Sequence, residues 1–250
     1  MRKYALERRI SLYKIRKYTD ITRVFQKQGI IYGKYLDVIE HEKPKIIFSR
    51  LGNVYSRRDA VCKDRTKQSS DRARTTLRRI VEANCGKWGE YKPVFATLTQ
   101  AENQKSLNIS NMRFTAFIKR CNYFIGHSLK YVAVPEFQKR GSVHYHIVFF
   151  NLPFVNLKQF EETWGYGTTN VQLMRKQNRT ASYLAKYFSK SFTNSRNFNK
   201  KSFFSSRGLI RPVPIYGAYE VDEYIKNRIM KKEYEQQLHK IKLIKYVDNT

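Results

Sequence analysis

The chain has 250 residues, 41% of them hydrophobic and 14% aromatic, enough to build a sizeable core and to exclude global disorder. Lys and Arg number 49 against 20 Asp and Glu, a net charge of +29, which points to a polyanionic partner, nucleic acid, rather than to a solubilising surface of mixed sign. Cys62, Cys85 and Cys121 are far apart and form no C-x-x-C, which excludes a disulfide framework and a structural zinc site and fits a reducing cytoplasm. The N-terminus shows no apolar signal region. The longest apolar stretch, Val143 to Val155, is interrupted by two histidines, an asparagine and a proline, so no membrane partner is expected.

The net charge is +14 over residues 1–92, +11 over 93–200 and +4 over 201–250, so it is not confined to a tail. In chain order, Lys45–Phe48 reads as a short strand. A helix starts at Ser69-Ser70-Asp71 and runs to about Asn84, with Leu77, Ile80, Val81 and Asn84 on one face and Arg72, Arg74, Arg78 and Arg79 on the rest. Those arginines are read as either a solvated face or phosphate contacts. From residue 93 the pattern predicts a strand at 94–99, a helix at 108–125 with Met112, Ala116 and Phe117 at helical spacing, and strands at 130–136 and 143–150. It then predicts a helix at 156–164, a strand at 168–174 entered through Gly165-Tyr166-Gly167, a helix at 178–191 and a short strand at 202–206. This order implies an α+β fold with a ferredoxin-like core and a mainly antiparallel sheet. The expected division is a basic region at 1–90, the core at 91–215 and a C-terminal extension at 216–250, in which residues 219–247 read as a charged amphipathic helix.

Two constellations carry chemistry. His144-Tyr145-His146 lies inside a strand, where side chains alternate, so both imidazoles face one side and Val143, Tyr145, Ile147 and Phe149 the other. Two imidazoles about 7 Å apart along a strand can converge on one ion. Glu136 ends the preceding strand. A three-residue loop, Arg140-Gly141-Ser142, would pair 139 with 143 and set Glu136 opposite His146, making a two-His, one-carboxylate metal site. The second constellation is Tyr183, Lys186, Tyr187 and Lys190, which share one face of a helix opposite Ala181, Leu184, Ala185 and Phe188. A phenol beside a metal site suggests in-line nucleophilic attack on a phosphodiester, with lysine favouring the phenolate.

At these residues the sequence resembles the rolling-circle replication initiators of bacterial plasmids and phages, in the HUH endonuclease superfamily. Phe95-Ala96-Thr97-Leu98-Thr99 resembles the family's first motif, His144-Tyr145-His146 its metal-binding motif, and Tyr183-x-x-Lys186 its nucleophile motif, with Tyr187-x-x-Lys190 as an overlapping second copy. Ser205-Ser206-Arg207-Gly208 is also similar to plasmid and phage members, and the likeness covers about residues 70–215. The resemblance implies a metal-dependent nickase that cuts one strand at a replication origin, remains linked to the 5′ phosphate and frees a 3′ hydroxyl. It implies Mg or Mn at Glu136, His144 and His146, and catalysis by Tyr183, Tyr187, Lys186 and Lys190. Arg72, Arg74, Arg78, Arg79, Lys139, Arg140 and Arg207 are candidate DNA contacts. Single-stranded and duplex origin DNA are the expected partners. With no G-x-x-x-x-G-K-[ST] in the chain, a host helicase and polymerase in the bacterial cytoplasm are expected to act with it. The competing readings are an HUH transposase and a non-catalytic origin-binding protein.

Overall fold

The computed structural model describes residues 18–50, 63–174 and 202–249. In chain order the elements are β1 (Tyr18–Tyr32), β2 (Tyr35–Arg50), α1 (Lys63–Asn84), β3 (Val94–Leu98), α2 (Leu107–Ile125), β4 (Tyr131–Phe137), β5 (Val143–Phe149), α3 (Leu157–Trp164), β6 (Thr169–Leu173), β7 (Phe204–Ser205), β8 (Val213–Tyr216), α4 (Ala218–Lys226), β9 (Met230–Leu238) and β10 (Ile241–Asp248). The fold is α+β: the described residues hold four helices and two antiparallel five-stranded sheets. They divide into two units, residues 62–212 and residues 1–61 with 213–250. The boundaries differ from the expected 90 and 215, because α1 belongs with the core and the C-terminal segment pairs with the N-terminal strands.

In the unit of residues 62–212 the strand order is β6-β3-β5-β4-β7. Without the short edge strand β7, this is the fourth-first-third-second order of a ferredoxin-like β-α-β-β-α-β unit, antiparallel at every pairing. The helices start where the sequence supplies caps. Ser106 Oγ accepts from the Ile109 N–H, and Asn156 Oδ1 accepts from the Lys158 and Gln159 N–H groups. Helices α2 and α3 seal one face of the sheet. Phe114 stacks on Tyr145 at 4.7 Å between centroids, and Phe117 meets Phe160 and Trp164 edge-on. That face takes Val143, Tyr145, Ile147 and Phe149, as the alternation predicts. Met112 shares its helical spacing with Phe117 but is 72% exposed, because the buried stripe of α2 runs through Phe114, Phe117, Ile118 and Cys121.

The opposite face carries Phe95, Val132, Val134 and Val148, which pack against Leu77, Ile80 and Val81 of α1. The expected apolar face of α1 is therefore correct, although the helix begins at Lys63 rather than Ser69.

In the second unit the strand order is β8-β1-β2-β10-β9, and α4 brings Val221 onto Leu36, Val38 and Ile244. The residues expected as a short strand at Lys45–Phe48 are part of the 16-residue β2. The expected helix over 219–247 is overturned: α4 ends at Lys226 and the rest forms the β9–β10 hairpin, with β10 paired to β2. The charges that suggested a helical face pair across the hairpin, where Glu235 bonds Lys242 at 2.8 Å, while Ile244 and Val247 are buried.

Gly167 lies where the turn after α3 presses on the end of β3. Its φ is 150°, and a Cβ there would stand 2.3 Å from the Thr99 carbonyl oxygen and 2.5 Å from the Ala101 nitrogen. The same turn is held by Thr168 O accepting from Thr99 N and Tyr166 O accepting from Ala101 N. Gly167→Ala must push backbone against backbone, so it is expected to destabilise the fold by about 2 kcal/mol or more. A urea midpoint unchanged from wild type would refute this.

Candidate functional site

The histidine face is built from two cross-strand rows. Pairing of β3, β5 and β4 sets Thr97, His146 and Val134 side by side, and one step further along aligns His144 with Glu136. Glu136 therefore sits opposite His144, not His146 as expected. The reason is the turn. The N–H of Gln138 donates to Ser142 O at 2.9 Å and that of Gly141 to Gln138 O at 2.8 Å, so the three-residue loop is Lys139-Arg140-Gly141, one residue earlier than expected. Gly141 has φ 91°, the left-handed conformation such a loop requires. Arg140 fixes the turn: its guanidinium donates to Gln138 Oε1 at 2.9 Å and to the Gln100 carbonyl at 2.8 Å.

The loop still leaves Glu136 on the histidine face, and its carboxylate reaches diagonally to His146, where Nε2–H donates to Oε2 at 2.5 Å. Each imidazole is met on its other nitrogen by a threonine of β3 or of the residue just beyond it. Thr97 Oγ1 lies 3.2 Å from His146 Nδ1, and Thr99 Oγ1 lies 3.5 Å from His144 Nδ1. Phe95 stacks on the His146 ring at 5.8 Å. The threonines thus occupy both Nδ1 atoms and turn both Nε2 atoms towards the site, where that of His146 is already taken by Glu136. Among the described residues, His144 Nε2 is buried without a hydrogen-bond partner. Burial above all, then the charges of His146 and Arg140, opposed by Glu136, hold the His144 imidazole well below its ordinary range, at about 4. It is neutral at neutral pH, the form that ligates metals.

Among the described residues, no three His, Cys, Asp or Glu side chains are gathered as a closed metal-holding group. Glu136 is drawn to His146 rather than to a point shared with His144. The donor set nevertheless fits a divalent ion: an orphaned buried imidazole nitrogen, a second imidazole whose Nε2 faces a carboxylate, and oxygen partners on both Nδ1 atoms.

Of the other expected site residues, Tyr183, Lys186, Tyr187 and Lys190 lie outside the described residues. Arg72 and Lys139 are exposed. Arg74 pairs with Asp71 at 2.9 Å and Arg78 approaches Glu82 at 4.0 Å. Arg207 is exposed, and its carbonyl accepts from Lys130 Nζ at 3.0 Å. Arg79 departs from the solvated basic face expected of it: it is buried.

Three residues in contact with this site were not singled out as site residues from the sequence. Thr97 and Thr99 brace the histidines. Gln100, fully buried, donates to Ser110 Oγ and the Val143 carbonyl and accepts from Arg113, tying α2 to the start of β5. The alternation Phe95, Thr97, Thr99 on the strand beside the histidines was the signal that could have found the threonines.

Residues 93–192 match the family model of replication-associated proteins of the ORF2 and gene-2-protein type. Over these residues, two fifths of the chain, the protein is similar to that family. The matched segment begins just before β3, contains the whole histidine face and extends through Tyr183 to Lys190. No curated protein and no solved structure matches the chain. No helix among the described residues is long and apolar enough to cross a membrane.

The buried imidazole gives the unit of residues 62–212 a pH signature. In the unfolded chain His144 takes up its proton near pH 6.5, but in the fold only near pH 4. Between these values the unfolded state binds more protons, so stability is expected to fall as pH drops from 6.5 towards 4. Urea midpoints measured across this range should decline, and His144→Asn, which has no such proton, should lose part of the slope. An identical slope in the variant would show that His144 is not held neutral by the fold.

Proposed function

We propose that this chain is a rolling-circle replication initiator of the HUH type, cutting one strand of DNA at a replication origin and remaining joined to the new 5′ end. The observation that carries the reading is the pair of braced imidazoles presenting Nε2 beside Glu136, inside a replication-associated segment that also contains the Tyr183-x-x-Lys186 pattern. The net charge of +29 supports a DNA partner, single-stranded and duplex, at the origin.

His144 and His146, with the Glu136 carboxylate, would hold Mg or Mn; when bound, the ion polarises the scissile phosphate as a Lewis acid. In this reading the oxygen of Tyr183, with its proton removed, attacks the phosphorus. The bond from phosphorus to tyrosine forms as the bond to the 3′ oxygen breaks, and that oxygen leaves as a 3′ hydroxyl after taking a proton. Lys186 favours the phenolate and screens the charge that builds on the phosphoryl oxygens. Tyr187, four positions further along the sequence and followed by Lys190, accepts the strand at termination. Arg72, Arg74, Arg78, Lys139, Arg140 and Arg207 contribute phosphate contacts. The freed 3′ hydroxyl serves a host polymerase, and a host helicase opens the duplex, in the cytoplasm of a bacterial cell.

The role of the histidines separates cutting from binding. His144→Ala or His146→Ala is expected to abolish nicking of a labelled single-stranded origin oligonucleotide with Mn, while duplex affinity, supplied by Lys and Arg, stays within a few-fold. Equal loss of both in a folded variant would count against a local metal role.

The nucleophile is tested by the covalent adduct. Tyr183→Phe keeps the ring and removes the attacking oxygen, so it should lose most initial cleavage. Tyr187→Phe should lose mainly the second transfer, and the double variant should form no protein–DNA adduct. Peptide mapping that finds DNA on Tyr187 in the first turnover would reverse the roles, and DNA on any other residue would overturn the mechanism.

A further inference from the structure

Away from the histidine pair, at the other end of the same sheet, the unit of residues 62–212 carries a cluster of aromatic and basic side chains that the proposed cutting reaction does not use. The loop after α1 brings Trp88 and Tyr91 there, and the β4 side contributes His127 and Lys130. Tyr91 is 39% exposed and lies 6.1 Å, ring to ring, from His127. Trp88 is half-buried, and Lys130 Nζ stands over its ring at 5.1 Å. Exposed Lys87 and Lys92 flank the two aromatics, against one exposed acid, Glu90.

The cluster is rigidly held. Trp88 Nε1 donates to Asn84 Oδ1 at 3.2 Å, and Asn84 is itself buried and donates to the Ile80 and Ile210 carbonyls. Lys130 Nζ donates to Arg207 O, and the backbone N–H of Lys130 donates to Asn151 Oδ1 at 2.6 Å. His127 Nε2 is hydrogen-bonded to the Asn151 carbonyl at 3.2 Å. None of these contacts requires Tyr91 to face solvent. An aromatic ring set beside an imidazole and rimmed by lysines, of which Lys130 is held in place, matches what single-stranded nucleic acid needs: π-faces for bases and cations for the phosphates between them.

We propose that this end of the sheet is a second contact for single-stranded DNA, in which a base stacks on Tyr91 beside His127 and Lys87, Lys92 and Lys130 meet the adjoining phosphates. It lies roughly five residues along β5 and its end from His146, about 17 Å at ~3.3 Å per residue. It would therefore hold a part of the strand remote from the scissile phosphate. The proposal rests on the reading of the chain as a single-strand DNA enzyme, but its test measures binding alone and needs neither metal nor cleavage.

The experiment is fluorescence anisotropy of the full chain, without added metal, on labelled thymidine oligonucleotides of increasing length and on abasic oligonucleotides of the same lengths. Tyr91→Ala is expected to lower affinity for the long thymidine oligonucleotide about tenfold, the scale of one stacked base. It should change affinity for the abasic strand and for the shortest oligonucleotides by less than about twofold. Tyr91→Phe keeps the π-face and should bind as wild type, and Lys87→Ala with Lys92→Ala should weaken long thymidine and abasic strands alike. The proposal is overturned if Tyr91→Ala binds the long thymidine oligonucleotide as tightly as wild type, or if its loss is the same on abasic DNA. Failure of adduct formation at Tyr183, with this length dependence intact, would overturn the cutting reaction and leave the contact standing.

Discussion

The pairing register of β4, β5 and β3 is the constraint on which the candidate site depends. Side chains of a strand alternate, so a slip of one residue would turn His144 and His146 into the aromatic core and bring Tyr145 out in their place. The register is fixed at two places. On one side the Lys139-Arg140-Gly141 loop closes the β4–β5 hairpin, with Gly141 in a conformation that other residues rarely adopt and Arg140 anchored to Gln100. On the other side Tyr145 packs flat on Phe114 and its hydroxyl donates to Asn111 Oδ1 at 2.6 Å. A slipped strand would lose both and would bury two imidazoles without their threonines.

The sheet uses its two faces differently. The face under α2 and α3 is filled by large aromatics and closed. The other is apolar only where α1 covers it, and gives way along the same strands to Thr97, Thr99, His144, His146 and Glu136. Rigid packing on one side is what allows polar groups to be held at fixed spacing on the other, since strands positioned by a close-packed core have little freedom to shift. Gly167 serves the same end: with no side chain, it lets the turn after α3 clasp the backbone of Thr99 to Ala101, the segment that carries the second threonine.

Much of this was legible in the sequence because the signals were local. The strands at Val94 and Val143, the helices capped by Ser106 and Asn156, and the shared face of the two histidines follow from alternation and capping over a few residues. The loop register was not legible to the residue, because Gly141 fits either of two three-residue loops and only the hydrogen bonds to Ser142 and Gln138 choose between them. The C-terminal strands failed for a different reason. The segment Met230–Leu238 is almost wholly exposed and rich in Lys and Glu, so it carries little periodicity of its own. Its strand character comes from β10, which is itself held by β2, far earlier in the chain. Long-range pairing of that kind leaves no local mark. The burial of Arg79 was equally hidden, since four arginines between residues 72 and 79 of one helix give no sign of which will be covered.

The cost of His144 bears on what the site is for. A buried polar nitrogen without a partner costs about 1–3 kcal/mol, a sizeable share of a domain's net stability. An apolar residue in its place would avoid that cost, as Phe95, Val134 and Val148 do further along the same face. Thr99 instead orients the ring and, among the described residues, Nε2 has no partner, while the adjacent His146 has both nitrogens engaged. A lone pair held in fixed direction and kept free of protons down to about pH 4 is open to a Lewis acid or a hydrogen-bond donor. The depressed pKa keeps the ring neutral at neutral pH, the form that the metal site proposed above would require.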